Sequence, residues 1–157
     1  MEESLIALSG VPNKPGVEGY ILSKLSDGFI DIDMIAQNAT DKDKTDFTFT
    51  IQRKDYPKAI NAVKLLAEEL GAATPRSNPN VAKLSLVGIG MRSHAGVASH
   101  MFRALGNADI NIQMITTSEI KISVVIDEDR LEHGVRAVHE AFELDKLSLE
   151  KQQALME

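Results

Sequence analysis

Two periods of apolar and polar positions predict the secondary structure of the first half of the chain. An apolar run at residues 5–8 predicts a strand, and apolar residues four positions apart across residues 17–25 predict a helix. Alternation with a period of two at residues 30–34 and 47–51 predicts two strands that pair antiparallel. A second amphipathic pattern at residues 60–70 predicts another helix. The predicted order of elements is β-α-β-β-α.

The same pattern returns eighty positions later. The sequence G-V…I-L…L…I-D-I-D-M-I within residues 16–35 reappears as G-V…M-F…L…I-N-I-Q-M-I within residues 96–115. A repeat at a fixed distance that covers loop, helix and strand indicates a duplicated domain. We therefore predict two domains, residues 1–80 and 81–157. Each is predicted to be an α+β ferredoxin-like βαββαβ unit, with an antiparallel sheet and both helices on one face.

Some segments between and after the periodic elements have no clear pattern. The turn-rich residues 72–80 are predicted to form the domain boundary and to include a short edge strand. The charged residues 40–45 are predicted to form an exposed, mobile loop. After Phe142 the chain offers only weak alternation and then good helix formers. The closing strand of the second domain is therefore not assigned, and we expect that edge of its sheet to be open or borrowed.

Composition narrows the possible classes of function. The chain has 157 residues, a net charge of −6, no cysteine and four histidines without metal-ligand spacing. The negative charge and the few aromatic residues argue against a nucleic-acid partner. No apolar run approaches the ~20 residues of a membrane span, and the acidic residues 1–3 do not resemble a secretory signal. We expect a cytoplasmic protein without a membrane or nucleic-acid partner and without a metal or cofactor.

Each domain is predicted to present a helix start to solvent after its first strand. The first strand stops at Gly10 and the chain turns through N-K-P-G at residues 13–16. The corresponding strand of the second copy stops at Gly88 and the chain turns through S-H-A-G at residues 93–96. Unpaired backbone N–H groups at a helix start bind carboxylates well. Asparagine and serine are also ordinary cap residues, so a plain helix cap explains the same pattern.

Polar side chains are dense at the end of the strand that follows each of these helices. They are Gln37 and Asn38 in the first copy and T-T-S-E at residues 116–119 in the second. A zwitterion would suit this setting, with Glu119 holding the ammonium group and the loop amides holding the carboxylate. The pattern therefore indicates amino-acid recognition, while a polar turn between two strands accounts for it equally well.

No catalytic motif accompanies these residues. The sequence has no phosphate-binding loop, nucleophile elbow or zinc-protease signature. His94 and Glu119 are the pair that an acid–base enzyme would use here, but no nucleophile or cofactor motif stands with them. Asp31 and Asp33 are two positions apart on a predicted strand and share one face, which indicates a solvated face or an edge near a subunit interface. We predict a binding protein without a catalytic site.

Both copies resemble the tandem ACT-domain regulatory region of aspartate kinases. In the first copy the resemblance rests on N-K-P-G at residues 13–16 and I-D-I-D-M-I-A-Q-N at residues 30–38. In the second it rests on M-R-S-H-A-G-V at residues 91–97, I-N-I at residues 110–112 and I-T-T-S-E-I at residues 115–120. The resemblance covers most of the chain but none of that family's kinase domain. It therefore implies a separate regulatory subunit or a fragment of a longer kinase.

The resemblance implies feedback control of the aspartate pathway. In the family, lysine, threonine or both bind between ACT domains of two chains and favour an inactive kinase. For this chain it implies a homodimer that senses threonine and/or lysine and associates with an aspartate kinase catalytic chain. The same residues also fit a stand-alone ACT-type module that regulates another metabolic enzyme or a transport system.

The resemblance also implies two sets of effector-binding residues. The first site is implied to consist of Asn13, Gly16, Val17, Gln37 and Asn38, completed by the backbone of Asn111 and Ile112 from a partner chain. The second is implied to consist of Met91, Ser93, His94, Gly96, Val97, Thr117, Ser118 and Glu119, with Asp31 and Ile32 facing it. Many members of the family carry an aspartate at the position of Asn13, and use an upstream strand to complete the second sheet.

Overall fold

The computed structural model describes residues 2–88, 94–144 and 154–156. The strands are β1 (Glu3–Pro12), β2 (Ile32–Asp41), β3 (Lys44–Gln52), β4 (Arg76–Gly88), β5 (Met114–Thr117), β6 (Lys121–Asp127) and β7 (Ala154–Met156). The helices are α1 (Val17–Asp27), α2 (Tyr56–Leu70), α3 (His94–Asn107) and α4 (Leu131–Leu144), and short 3₁₀ turns at Arg53–Asp55 and Glu128–Arg130 precede α2 and α4. The chain divides into two compact units, Met1–Asn80 and Val81–Glu157.

The first unit is an antiparallel sheet covered on one face by two helices. Its strands have the order β2–β3–β1, and the start of β4 lies beside β1, where the Ser4 hydroxyl donates to the carbonyl of Pro79 at 2.7 Å. Ile6 of β1 lies opposite Phe49 of β3, and both side chains are fully buried. The helix residues that pack on this face are Val17, Ile21, Leu25, Ala59, Val63, Leu66 and Ala67. Burying a large apolar side chain stabilises the fold by roughly 1.5–3 kcal/mol.

The second unit repeats this arrangement. Its strands have the order β5–β6–β4, with Leu84 opposite Val124 and Leu86 opposite Ile122. These side chains form a core with the buried residues Val97, Met101, Leu105, Ile110, Ile126 and Val138. Two α+β units in tandem, each with helices over an antiparallel sheet, confirm the predicted fold class.

Residues 40–45 do not form the predicted loop. Strand β2 continues to Asp41 and β3 starts at Lys44, so a turn of only two residues connects them. The backbone N–H of Asp43 donates to the Asp41 carboxylate at 2.7 Å, an interaction that favours a tight turn. Thr45 is fully buried, and its hydroxyl donates to the carbonyl of Asn38 at 3.3 Å. The hairpin is therefore longer than its charge predicted, while residues 40–44 are exposed as expected.

The edge of the second sheet that we expected to be open or borrowed is paired within the chain. Strand β7 pairs antiparallel with the end of β4, placing Met156 opposite Leu86 and Ala154 opposite Gly88. Because Leu86 also lies opposite Ile122 of β6, β7 occupies the other edge of β4. Only three residues form β7, and a strand of that length gives too little alternation to be recognised in the sequence.

Helices α1 and α3 end in the same way, and this ending positions the residues that follow. Phe29 and Asp109 adopt left-handed backbone conformations with φ of 59° and 60°. The N–H of Ile30 then donates to the carbonyl of Leu25 at 3.0 Å, and the N–H of Ile110 donates to that of Leu105 at 3.0 Å. The buried Ile30 and Ile110 fix the chain where it leaves each helix toward residues 31–32 and 111–112.

Candidate functional site

The first candidate site begins where β1 turns into α1. Gly16 is the N-cap of α1, with φ of +92° and no side-chain hydrogen bond to the cap. Gly16 and Asn13 are exposed, whereas Val17 is buried. The Asn13 N–H donates to the carbonyl of Asp43 at 2.9 Å, which ties this loop to the β2–β3 turn. The helix therefore starts at a bare glycine, and Asn13 does not cap it.

A side-chain hydrogen bond joins the first turn of α1 to β2. The Gln37 amide Nε2 donates to the Glu18 carboxylate at 2.8 Å. Glu18 is half-buried and Gln37 is exposed. The amide donor from Gln37 and then the backbone N–H of Glu18 itself lower the pKa of the Glu18 carboxyl below its ordinary value. The structure thus places the predicted site residue Gln37 against the helix start.

Glu18 contacts a predicted site residue but was not itself predicted from the sequence. An acidic side chain in the first turn of a helix is common because it complements the partial positive charge there. Glu18 also follows Gly16 by two residues, and this proximity is the signal that the sequence offers. Its contact with Gln37, nineteen positions away, depends on how α1 packs beside β2.

Asn38 contributes differently from Gln37. Its carbonyl accepts the Thr45 hydroxyl, and it lies opposite Asp46 in the β2–β3 pairing. The Asp46 carboxylate in turn accepts the N–H of Gly10, which has φ of +75°. These contacts connect the end of β1 to the hairpin. Asn38 therefore lies on a strand end that is held in place beside the loop carrying Asn13.

The second candidate site has the same framework with different side chains. Helix α3 begins at His94, Gly96 is exposed and Val97 is buried. Strand β5 ends at Thr117, and the exposed Ser118 and Glu119 form the turn to β6. The predicted site residues Met91 and Ser93 lie outside the described residues, and only the backbone of His94 is described.

The turn after β5 is held by backbone hydrogen bonds. The N–H of Ser118 donates to the carbonyl of Lys121 at 2.8 Å, and the N–H of Gly88 donates to the carbonyl of Ile120 at 2.8 Å. The second bond places the end of β4 directly beside this turn. Glu119 is thus presented on a short, fixed turn next to the strand end that leads toward α3.

The residues predicted to face a partner chain have equivalent surroundings in the two units. Asp31 and Asn111 are exposed, and Ile32 and Ile112 are half-buried. The pattern of burial is the same at each position of residues 31–40 and 111–120. The two copies therefore share one pattern of burial along this segment, with a carboxylate at Asp31 in one and an amide at Asn111 in the other.

The described residues have one further notable feature, which lies apart from the candidate sites. A shallow cavity of about 380 Å³ lies between α3 and α4, lined by Ala104, Asn107, Ala108, His133, Arg136, Ala137, Glu140 and Ala141. It contains none of the predicted site residues. Within the part of the chain that the structure describes, no group of three or more metal-ligating side chains is present. None of the helices in those ranges has both the length and the apolar character to cross a bilayer.

Comparison with known proteins agrees with the duplicated framework. The family model of the ACT domain matches residues 6–65 and 84–142. The chain is 53% identical over 144 residues to an aspartate kinase of Stutzerimonas stutzeri (strain A1501), and 53% identical over 144 residues to an aspartokinase of Pseudomonas aeruginosa. Each alignment covers 92% of this chain and 35% of the relative. The chain thus spans about a third of the length of the curated relatives that it matches.

Solved structures give the same answer for the fold. The structure of aspartokinase alpha and beta subunits is 46% identical, with a TM-score of 0.80, and the match covers 90% of this chain and 93% of that chain. The ligand-free regulatory subunit of aspartate kinase from Thermus thermophilus is 34% identical, with a TM-score of 0.80 and the same two coverages. The resemblance seen in the sequence is confirmed: the chain belongs to the ACT-domain family, as the tandem ACT regulatory region of an aspartate kinase.

Proposed function

We propose that the chain is a cytoplasmic sensor that binds threonine and/or lysine for feedback inhibition of aspartate kinase in the aspartate pathway. The observation that carries the proposal is a helix start without a side-chain cap, Gly16, placed beside the polar end of β2 at Gln37. A free amino acid has a carboxylate and an ammonium group, and this arrangement offers a partner for each.

The helix start is suited to the effector carboxylate. Backbone N–H groups in the first turn of α1 carry the partial positive charge of the helix dipole. A Cβ placed on Gly16 would meet nothing within 4 Å, so the space beside this residue is open. A carboxylate can therefore approach the backbone closely, as anions do at other helix starts.

Polar side chains supply acceptors for the ammonium group. Gln37 and Asn38 would serve in the first site, and Thr117, Ser118 and Glu119 in the second. Asn111 and Ile112 of a second copy are proposed to complete the first site, while Asp31 and Ile32 of a second copy face the second. In this proposal the homodimer is the unit that binds effector.

Inhibition requires a catalytic chain that responds to this binding. The effector must bind the inhibited arrangement more tightly than the active one, and couplings of about 1–3 kcal/mol are typical of such control. A structure similar to this chain is of aspartokinase alpha and beta subunits. We therefore propose that the partner is an aspartate kinase catalytic chain, either separate or continuous with these domains.

Two glycine variants test the first site. Gly16→Ala places a methyl group in the open space before α1, at φ of +92°. Gly71→Ala is the matched control, because Gly71 ends α2 with φ of +70° and also has nothing within 4 Å of its added Cβ. Both substitutions should cost about 1–2 kcal/mol of backbone strain, but only the first lies at the proposed site.

Isothermal titration with threonine, with lysine and with both should separate the two effects. We expect saturable binding by the wild-type chain and by Gly71→Ala, and loss of the first-site binding step in Gly16→Ala. Absence of binding of either amino acid to the wild-type chain would contradict the proposal, and so would an equal loss in both variants. Capture of an aspartate kinase catalytic chain from a mixture with other amino-acid enzymes tests the partner separately.

A further inference from the structure

The two ends of the Gln37 amide are chemically different, and the contact with Glu18 distinguishes them. An amide nitrogen only donates hydrogen bonds and an amide oxygen only accepts them. An ionised carboxylate also only accepts, so the group facing Glu18 at 2.8 Å has to be Nε2. The opposite orientation would bring Oε1 against a carboxylate oxygen, which is repulsive. The contact therefore fixes the amide rotamer.

We propose that Glu18 is a positioning residue of the first site, which holds Gln37 so that its Oε1 acceptor is presented to a hydrogen-bond donor of the bound amino acid. This role rests on the proposed function. The donor is the ammonium group or a side-chain hydroxyl or ammonium of the effector. Glu18 acts through Gln37 and is not itself assigned a contact with the ligand.

The electrostatic setting supports this role. The hydrogen bond from Gln37 and the backbone N–H of Glu18 favour the ionised carboxyl, so its pKa lies below the ordinary value. Glu18 therefore stays ionised at neutral pH.

The second unit has no side-chain pair equivalent to Glu18 and Gln37. Eighty positions later, the residues corresponding to Glu18 and Gln37 are Ala98 and Thr117. An alanine cannot orient a neighbour by hydrogen bonding, and a threonine hydroxyl can either donate or accept. Because residues 31–40 and 111–120 share the same burial pattern, this side-chain difference makes the sites inequivalent. The first site presents a fixed acceptor, whereas the second can adapt.

Two alanine variants that remove the same charge test whether Glu18 positions Gln37. Glu18→Ala removes the contact with Gln37. Glu69→Ala removes a carboxylate of α2 that accepts a hydrogen bond from the hydroxyl of Tyr20 on α1. Each variant loses one negative charge and one side-chain hydrogen bond. Titration with L-threonine and L-lysine should show about a tenfold or greater loss of first-site affinity in Glu18→Ala only.

A second readout reports the amide orientation directly. The side-chain amide resonances of Gln37 should be well separated in the wild-type chain and move toward free-glutamine values in Glu18→Ala, while Glu69→Ala leaves them unchanged. Glu18→Gln, which keeps the shape but can face Gln37 with either end, should give an intermediate affinity.

The possible results separate this role from the proposed function. If the wild-type chain binds neither amino acid, the proposed function fails and the role fails with it. If the wild-type chain binds and Glu18→Ala binds with the same affinity, only the role is overturned. Equal weakening by Glu18→Ala and Glu69→Ala would also overturn it, since that result indicates a general effect of charge or stability.

Discussion

Two single residues carry the same unusual backbone conformation with different side chains. Phe29 and Asp109 both have φ near +60° at the ends of α1 and α3. A left-handed conformation costs an ordinary residue about 1–2 kcal/mol, whereas aspartate tolerates it better and glycine adopts it freely. Phe29 is 86% exposed, so packing within the described residues recovers little of this cost.

We predict that Phe29→Gly raises the free energy of unfolding by about 0.5–1 kcal/mol. Relief of the left-handed strain exceeds the extra chain entropy that glycine loses on folding. Phe29→Ala is the matched control, because it removes the exposed ring but keeps the Cβ that causes the strain. Asp109→Gly should give a smaller gain. Urea unfolding measures the change in the free energy of unfolding for all three variants, provided that its dependence on urea concentration is the same as in the wild-type chain.

A gain in Phe29→Ala as large as that in Phe29→Gly would contradict this explanation, because it would assign the effect to the exposed ring.

One contact at the first candidate site could not be predicted from the sequence. The duplicated pattern indicates Gly16 and Gln37 but not Glu18. Its role depends on a contact between a helix and a strand, and a charged residue in a first turn is compatible with plain solvent exposure.

At the scale of elements, the fit between α4 and β6 differs from the fit between the equivalent elements of the first unit. Gly134 is the fourth residue of α4, and Ala59 is the fourth residue of α2. A Cβ on Gly134 would lie 3.1 Å from Cδ1 of Ile126, which is closer than ordinary van der Waals contact. Glycine thus occurs in α4 at a position where the side chain of Ile126 comes close to the helix.

We predict that Gly134→Ala gains less than the helix-propensity difference of about 1 kcal/mol. Part of that gain is lost because the buried Ile126 has to shift. Ile126→Val removes Cδ1 at a cost of about 0.5–1.5 kcal/mol. In that background Gly134→Ala should recover the full gain, since the next atom, Cδ2 of Leu105, lies at 3.5 Å. A double-mutant cycle in urea checks the coupling, and additive effects would contradict it.

The elements themselves were largely predictable because buried faces repeat. Val17, Ile21 and Leu25 recur every four residues and are all buried, as an amphipathic helix requires. The exceptions have physical reasons. The β2–β3 hairpin carries charged residues that suggested a loop, but the strand pairing depends on the backbone and on the buried Thr45. The short β7 forms by pairing with the edge of β4, and no local sequence pattern indicates this pairing.

At the scale of the whole molecule, two domains of one chain share a burial pattern at the corresponding positions but carry different side chains there. A carboxylate at Asp31 corresponds to an amide at Asn111, and the Glu18–Gln37 contact has no counterpart in Ala98 and Thr117. A duplicated sensor with unequal sites can respond to two effectors without a second fold. We therefore expect two classes of binding site in the pair of domains, and one class in each domain.

A site shared between two chains links effector binding to association. If the first site is completed by Asn111 and Ile112 of a second copy, threonine or lysine binds the dimer more tightly than the single chain. By reciprocity, saturating effector then tightens the dimer by the same factor. We predict at least a tenfold fall in the dimer dissociation constant, or about 1.4 kcal/mol, measured by sedimentation.

Three comparisons make this linkage specific. Gly16→Ala should dimerise as before without effector but lose the threonine- or lysine-dependent tightening at the first site, while Gly71→Ala should retain it. Sodium chloride at matched ionic strength controls for lysine salts, because chains with a net charge of −6 repel one another and salt screens that repulsion. An effector-saturated chain with an unchanged dimer dissociation constant would show that each site is complete within one chain. The inhibitory signal would then have to pass to the kinase without a change in pairing of the regulatory domains.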